Sequence, residues 1–168
     1  GCGELLDAWG WHRAACSCSG RLRTRAVPTE RCLQRVCREA GAVVQPNAYV
    51  RDMNVGVRAS DERRVEVLAS GLPCYGGAQL AVDITLRHFL TGTGEAQALA
   101  SERGERLLVA ARAGKERKYS EILTSRRCKL VVVALSTSGR WSWEALKIVH
   151  ALAFSKARAA PEFLRKSL

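Results

Sequence analysis

The chain has 168 residues, 47% of them hydrophobic, and its 27 Lys and Arg against 16 Asp and Glu give a net charge of +11. This length is typical of about one domain, and without a long apolar run or a basic-then-apolar N-terminus we expect neither a membrane-spanning nor a secreted protein. The positive charge favours a polyanionic partner, most simply nucleic acid, over an inert basic surface, and its spread over several segments argues against a membrane surface.

The first 26 residues are polar, contain Gly, Cys and Arg, and have little periodicity. We therefore expect a separate Cys/His segment over residues 1–26 and a domain over residues 27–168. The domain is predicted to begin with a helix over residues 28–41. Pro28 suits the first helical turn, apolar residues recur after it at helical spacing, and Gly41 suits the stop.

Extended segments follow this helix. A strand is predicted to open at residues 42–44, and residues 49–57 are a further extended candidate. Residues 64–69 and 79–86 are rich in Val, Leu and Ile, and a segment with Gly and Pro joins them. They are therefore predicted to be neighbouring antiparallel strands.

The rest of the chain predicts a loop, a helix, a strand and a final helix. The loop covers residues 91–101 and the helix residues 102–124. Residues 129–135 form an unbroken apolar run after an initial Lys, which is typical of a strand buried on both faces. The last helix is predicted over residues 141–158. It has Trp at positions i and i+2, and we expect Trp141 in the core and Trp143 exposed, because such positions do not share a helix face.

The order helix, three strands, helix, strand, helix predicts an α/β fold. We expect a mixed four-stranded sheet flanked by helices, in which the last strand is parallel to its neighbour because a crossover helix precedes it. The seven cysteines are an odd number and do not suggest a disulfide framework. Cys32, Cys37 and Cys128 are predicted to be buried and reduced.

Two of the predicted strands each contain one acid, Glu66 and Asp83, among apolar residues. Side chains alternate along a strand, and a hairpin can bring these two carboxylates to one face of the sheet. Two adjacent carboxylates repel and raise each other's pKa unless a cation lies between them, and Mg²⁺ prefers such oxygen ligands. The alternative is structural: Glu66 pairs with a neighbouring Arg and Asp83 caps a turn.

The following helix contains two lysines, Lys115 and Lys118, at i and i+3 on one face. A lysine beside a metal site can orient or help to deprotonate an attacking water and can stabilise phosphate charge. The alternative is that this basic face is simply solvated.

These residues together resemble the restriction-endonuclease-like domain at the C-terminal end of non-LTR retrotransposon polyproteins, a PD-(D/E)xK type of nuclease. In that family the catalytic Lys has moved from the strand to the next helix, in a Lys-x-x-Lys-Tyr pattern. Here Thr85 stands two positions after Asp83, and residues 115–119 read KERKY. Glu66 stands where the family usually has its first Asp. Upstream, the spacing of Cys2, His12 and Cys16 is similar to the family's Cys–His knuckle.

The resemblance implies an αβββαβα restriction-endonuclease-like core and a DNA endonuclease that nicks target DNA. Glu66 and Asp83 would hold Mg²⁺ or Mn²⁺, Lys115 or Lys118 would serve the attacking water, and Glu30 is a candidate helix acid by analogy. Four arginines would neutralise backbone phosphates: Arg112, Arg117, Arg126 and Arg127.

The resemblance also implies a Zn²⁺ site at the knuckle, with Cys18 or an upstream residue as the fourth ligand. The expected partners are DNA, the RNA of the element and an upstream reverse-transcriptase domain, and the expected location is the nucleus. Two alternatives to an active nuclease remain open. One is a catalytically inactive remnant that still binds nucleic acid, and the other is a purely structural remnant.

Overall fold

The computed structural model describes residues 2–3, 7–16, 21–91, 93–97 and 105–162, with the backbone alone at 21–23. These residues form five α-helices and four β-strands. In chain order they are α1 (Trp11–Ala15), α2 (Arg21–Glu39), β1 (Val43–Tyr49), β2 (Arg64–Ser70), β3 (Gln79–Arg87), α3 (Glu105–Lys118), α4 (Ser120–Thr124), β4 (Cys128–Ser136) and α5 (Trp143–Ala159). No helix in this part of the chain is long and apolar enough to cross a bilayer.

The four strands form one mixed sheet in the order β1-β2-β3-β4. β1 and β2 are antiparallel, β2 and β3 are antiparallel, and β3 and β4 are parallel. The predicted mixed sheet, its antiparallel hairpin and its parallel fourth strand are therefore confirmed. The β3–β4 ladder runs over the full length of both strands, whereas the β2–β3 ladder ends at the pair Val67 and Val82. β2 and β3 part beyond that pair.

Helices cover both faces of the sheet. On one face α2 and α5 pack on β-strand residues such as Val67, Val82 and Val133. On the other face α3 and α4 pack on residues such as Ala81 and Val132. β3 and β4 are therefore buried on both sides, which is why the apolar run in β4 does not alternate with polar residues.

The segment after β4 turns back along the outer edge of that strand. The amide of Ser136 donates to the carbonyl of Arg140 at 2.8 Å, and the amide of Ser142 donates to the carbonyl of Ala134 at 2.9 Å. The Glu144 carboxylate accepts from the amide of Val132 at 3.2 Å. These bonds occupy backbone groups that would otherwise be open at the edge of the sheet.

The structure corrects the predicted start of the first long helix. α2 begins at Arg21, so Pro28 lies inside the helix and the helix runs without a break across residues 26 and 27. The first turns of α2 are mostly polar, so no apolar period marked them. The short helix α1 was likewise not predicted, because five residues are too few to establish a period.

Two further segment predictions were wrong. The extended candidate at residues 49–57 is instead the end of β1 followed by a 3₁₀ turn at Val50–Asp52. The single helix predicted over residues 102–124 is broken at Tyr119, whose φ of −123° and ψ of 42° are not helical. Within the predicted loop at 91–101, residues 92 and 98–101 lie outside the described part of the chain, and Leu90 forms an isolated bridge with Ala96.

The prediction for the final helix was half right. The helix begins at Trp143 with Ser142 as its N-cap, and the Ser142 hydroxyl accepts from the amide of Ala145. Trp141 therefore precedes the helix, and it is 44% exposed rather than buried in the core. Trp143 is 67% exposed, as expected.

One of the three cysteine predictions was also wrong. Cys37 and Cys128 are buried free thiols, whereas Cys32 is exposed. Cys32 precedes the buried Leu33 by one residue and is turned about 100° away from it around the helix. Cys32 therefore does not lie on the face of α2 that packs against the sheet.

Candidate active site

The candidate site lies where β2 and β3 separate. In the register of the hairpin Glu66 is the next residue opposite Asp83, just beyond the last pair of the ladder. β2 no longer pairs with β3 at this point, and the Glu66 carboxylate takes the place of a strand partner. Its Oε2 accepts from the amide of Ile84 at 3.0 Å. The two acids predicted from the sequence are thus brought to adjacent positions on neighbouring strands.

Asp83 is fully buried and is held by two residues from the α3–α4 region. The Lys115 ammonium donates to Oδ1 at 2.9 Å and is also ion-paired with Oδ2. Oδ2 thus has a charge partner, although no aligned hydrogen bond reaches it. The Tyr119 hydroxyl lies 3.2 Å from Oδ1 and donates to the carbonyl of Arg64 at 2.5 Å. This single hydroxyl proton therefore faces two acceptors, and Tyr119 ties α3, β2 and β3 together.

Burial, and after it the charge of Asp83, raise the pKa of Glu66 to about 7, against the opposing effects of the Ile84 amide and the Lys115 ammonium. Burial and the same two carboxylates also raise the pKa of Tyr119 above its usual range, so its hydroxyl keeps its proton. The site is thus a compact group of two acids, one lysine and one neutral phenol. One of the acids, Glu66, is only partly ionised at neutral pH.

Glu66 opens into a cleft of about 1020 Å³ between α2 and the ends of β1, β2 and β3, which we call the acid cleft. Glu30, the helix acid suggested by analogy, lines the same cleft. Lys118 also lines it, and its ammonium lies 4.7 Å from the centre of the Tyr119 ring. The other lining residues are Ala26, Val27, Arg31, Gln34, Pro46, Asn47, Glu62, Arg63, Arg64, Val65, Ile84, Thr85 and Leu86.

The four arginines predicted to bind nucleic acid do not line the acid cleft. Arg112 is ion-paired with Glu116 at 2.7 Å and with Glu144 at 3.4 Å. Arg117 is exposed on α3. Arg126 and Arg127 are exposed just before β4, beside the first residue of β3. Asp83 is four residues further along β3, about 13 Å away along the strand.

The structure instead brings three other arginines to the cleft, which the sequence did not single out. Arg31 comes from α2, and Arg63 and Arg64 come from the start of β2. Arg63 is fixed by Asp61 at 2.6 Å and by Glu121 at 2.9 Å. Arg31 is 32 positions before Arg63, and only the crossing of α2 over the sheet brings it to the same cleft as Arg63 and Arg64. No spacing in the sequence would have revealed them.

The N-terminal segment forms a separate group of possible metal ligands. One ligand atom from each of Cys2, His12 and Cys16 lies within 4.8 Å of the others, and the Cys2 sulfur is 3.1 Å from His12 Nε2. The predicted approach of these three residues is confirmed. The Asp7 carboxylate orients α1 by accepting from the amides of Trp11 at 2.9 Å and His12 at 2.7 Å. Cys18 lies outside the described residues.

The hydrogen bonds from the His12 and Trp11 amides also lower the pKa of Asp7, with the His12 amide as the largest cause.

A comparison with protein-family models finds no match for the chain, and a comparison with curated proteins finds none either.

Proposed function

We propose that the chain is a metal-dependent DNA endonuclease domain of the restriction-endonuclease-like type, which nicks target DNA for a non-LTR retroelement. One observation supports this proposal above all others. Glu66 and Asp83 come from two strands at the point where these strands separate, and Lys115 of the following helix contacts Asp83. This is the arrangement of acids and lysine that the resemblance implies.

The two carboxylates fit a divalent cation. Burial and the neighbouring charge of Asp83 raise the pKa of Glu66 despite the nearby Lys115 ammonium, which is the response expected of an acid without a divalent cation beside it. Glu66 and Asp83 would hold Mg²⁺ or Mn²⁺, which would supply Lewis-acid chemistry at a phosphate oxygen. The cleft residue Glu30 is a candidate for a further acid in the same site.

The protein residues around the acids have separable roles. The Ile84 amide fixes the Glu66 carboxylate, and Tyr119 and Lys115 fix the Asp83 carboxylate. The Lys115 ammonium can in addition orient an attacking water and offset the negative charge that develops on the phosphate. Lys118, in the cleft but beside Tyr119 rather than Asp83, is better placed to bind a substrate phosphate.

The proposed substrate is DNA, bound through its backbone. Arg31, Arg64 and Lys118 line the acid cleft, and the chain has a net charge of +11. Phosphate contacts of this kind position a strand without reading its sequence. The RNA of the element, an upstream reverse-transcriptase domain and a nuclear location belong to the same proposal.

The Cys2, His12 and Cys16 group is proposed to bind Zn²⁺. Two thiols and one imidazole are ligands that Zn²⁺ prefers, and their ligand atoms already lie close together. A structural site requires a fourth ligand, for which Cys18 is the nearest cysteine in the sequence. The role of such a site is to hold α1 and the N-terminal segment in place.

Nicking of supercoiled plasmid with and without Mg²⁺ tests the endonuclease. We expect Mg²⁺-dependent nicking that Glu66→Gln and Asp83→Asn abolish, while both variants still bind DNA. Glu62→Gln is the matched control, because Glu62 is an exposed acid in the same cleft. Thermal unfolding of each variant identifies any loss that comes from misfolding, and absence of nicking by the folded wild-type chain would refute the proposal.

The second candidate is an inactive remnant that binds nucleic acid without cutting it. The observation in its favour is that Lys115 contacts both oxygens of the fully buried Asp83, which neutralises this acid without a metal. This candidate predicts that DNA binds and is never nicked, and that Asp83→Asn leaves the affinity for DNA unchanged.

A further inference from the structure

A second groove lies at the carboxyl ends of the parallel strands β3 and β4, and we call it the Trp141 groove. It has a volume of about 450 Å³, within the range of small-molecule sites. Ligands commonly bind beyond the carboxyl ends of parallel strands. The lining residues come from α2, from the ends of β3 and β4 and from the segment after β4: Arg25, Thr29, Leu86, Leu135, Ser136, Thr137, Gly139 and Trp141.

The Trp141 groove adjoins the acid cleft. Leu86 lines both, and it is three residues from Asp83, about 10 Å along the strand. α2 borders both as well, through Arg31 in the cleft and Arg25 in the groove. A short polymeric ligand that lies in the acid cleft can therefore extend along the protein surface into the Trp141 groove.

The groove combines a cation, hydroxyl groups and an exposed aromatic face. Arg25 forms no ion pair with a carboxylate in the described part of the chain, which leaves its charge available. Burial lowers the pKa of His88, and the charge of Arg25 lowers it further. The Thr137 hydroxyl lies 2.5 Å from His88 Nδ1. Trp141 is 44% exposed and lines this groove as well as a neighbouring pocket beside α3.

We propose that the Trp141 groove binds an unpaired nucleotide of the strand whose phosphodiester lies in the acid cleft. This inference rests on the proposed endonuclease function and names the form of its substrate. The Trp141 ring stacks a base, and Arg25 neutralises a phosphate beside it. Base stacking on an aromatic side chain needs a free base face, which a single strand offers and the interior of a duplex does not.

The test is the affinity for a labelled single-stranded oligothymidylate, measured by fluorescence anisotropy in EDTA so that nothing is cut. We expect Trp141→Leu to weaken binding about 5- to 140-fold, the range for loss of one stacked base. Trp9→Leu is the matched control, because Trp9 is 78% exposed and lies outside both grooves. Trp141→Phe, which keeps a ring, is expected to retain most of the affinity.

Arg25→Gln provides a second arm, with Arg38→Gln as its control. Both residues are exposed on α2, and each substitution removes one positive charge. We expect Arg25→Gln to weaken binding clearly more than Arg38→Gln. A duplex of the same length is expected to lose much less affinity in Trp141→Leu than the single strand does.

Three outcomes would overturn the inference: equal affinity of Trp141→Leu and Trp9→Leu, equal effects of the two arginine variants, or equal losses for single strand and duplex. The Trp141→Phe and Arg25→Gln variants keep the test valid if Trp141→Leu does not fold. The proposed endonuclease function can be refuted independently of this inference. An absence of plasmid nicking together with weaker binding by Trp141→Leu would refute the nuclease and leave the groove as a nucleotide site.

Discussion

Lys115 and Lys118 are one helical turn apart on α3 but have different surroundings. Lys115 contacts both oxygens of Asp83, whereas the Lys118 ammonium lies over the Tyr119 ring. We therefore expect Lys115→Met to reduce the rate of nicking by about 10²- to 10⁴-fold, the range for a group that transfers or positions a proton. Lys118→Met should mainly weaken DNA binding. Single-turnover nicking rates at saturating enzyme separate the two effects.

The Lys115→Met variant can also be tested through its free energy of unfolding. Removing Lys115 leaves the buried Asp83 charge without a partner, and the loss of one member of a buried pair costs about 3–5 kcal/mol in the free energy of unfolding. The double variant Lys115→Met with Asp83→Asn removes both charges and should recover part of that loss. Urea unfolding of the wild type, Lys115→Met and the double variant measures the loss and its recovery. A Lys115→Met protein as stable as the wild type would contradict the ion pair.

The raised pKa of Glu66 predicts that the stability of the folded chain depends on pH. Its pKa is raised from 4.5 to about 7, so between these values the folded chain holds a proton that the unfolded chain has released. The free energy of unfolding therefore falls as pH rises from about 4.5 to about 7, by up to about 3 kcal/mol from this group. Glu66→Gln should lack this contribution, and Glu62→Gln should keep it.

Urea unfolding at pH 5 and pH 8 measures this difference. Addition of Mg²⁺ at pH 8 should restore stability to the wild type and not to Glu66→Gln, because a cation bound to the folded state compensates the carboxylate charge. Equal pH slopes in the wild type and Glu66→Gln would show that Glu66 ionises normally in the folded chain.

The sequence revealed the acid pair because it is a local feature, with one acid in each of two recognisable apolar strands. The positions of Arg31 and Arg64 could not be predicted in the same way. They line the same cleft only because α2 crosses the sheet near the place where β2 and β3 separate. That crossing depends on the packing of Leu33 and Cys37 against the strands, which no local pattern encodes.

At the level of elements, the proposed Zn²⁺ site bears on the stability of α1, since His12 belongs to this helix. The helix has only five residues and its N-cap is Gly10, which has no side chain to cap the first turn, so the Asp7 carboxylate is its visible support and the proposed Zn²⁺ would be a second one. We expect one Zn²⁺ per chain, measured by elemental analysis, and its loss in Cys16→Ser. Cys32→Ser is the matched control, because Cys32 is an exposed cysteine outside the group.

The same experiment tests the fourth ligand. Cys18→Ser should weaken Zn²⁺ binding if Cys18 completes the site, and it should have no effect if another residue does. Chelation should also change the fluorescence of Trp11, which lies at the start of α1. Zinc content unchanged in Cys16→Ser would exclude this group as the metal site.

The elements differ in how far the sequence predicted them. β3 and β4 were predicted well because long runs of Val, Leu and Ile leave few alternatives to a buried strand. The ends of the helices were predicted poorly. Pro28 is tolerated within α2, and Ser142 rather than Trp141 precedes α5, because a hydroxyl can cap the first turn and an indole cannot.

At the level of the whole molecule, the net charge predicts how DNA binding depends on salt. The logarithm of the affinity should fall linearly with the logarithm of the salt concentration, because each phosphate contact releases counterions. The double variant Arg31→Gln with Lys118→Gln should reduce the slope by about 2, one for each lost contact. Arg126→Gln with Arg127→Gln removes the same charge outside the cleft and should reduce it less.

Filter binding over a series of NaCl concentrations measures both slopes. Equal slopes for the two double variants would mean that DNA does not bind at the acid cleft in preference to the exposed arginines before β4. An affinity independent of salt would exclude the net charge as the cause of binding.

The chain segment that folds back along β4 affects how the protein behaves in concentrated solution. An open strand edge offers unpaired amides and carbonyls to strands of other molecules, and this is a common route to aggregation. Residues 140–144 occupy that edge of the sheet. The opposite edge strand, β1, contains Pro46, which has no amide to donate, and Asn47 with a φ of 50°. Both margins of the sheet thus discourage the addition of foreign strands, and we expect the protein to resist forming β-rich fibrils.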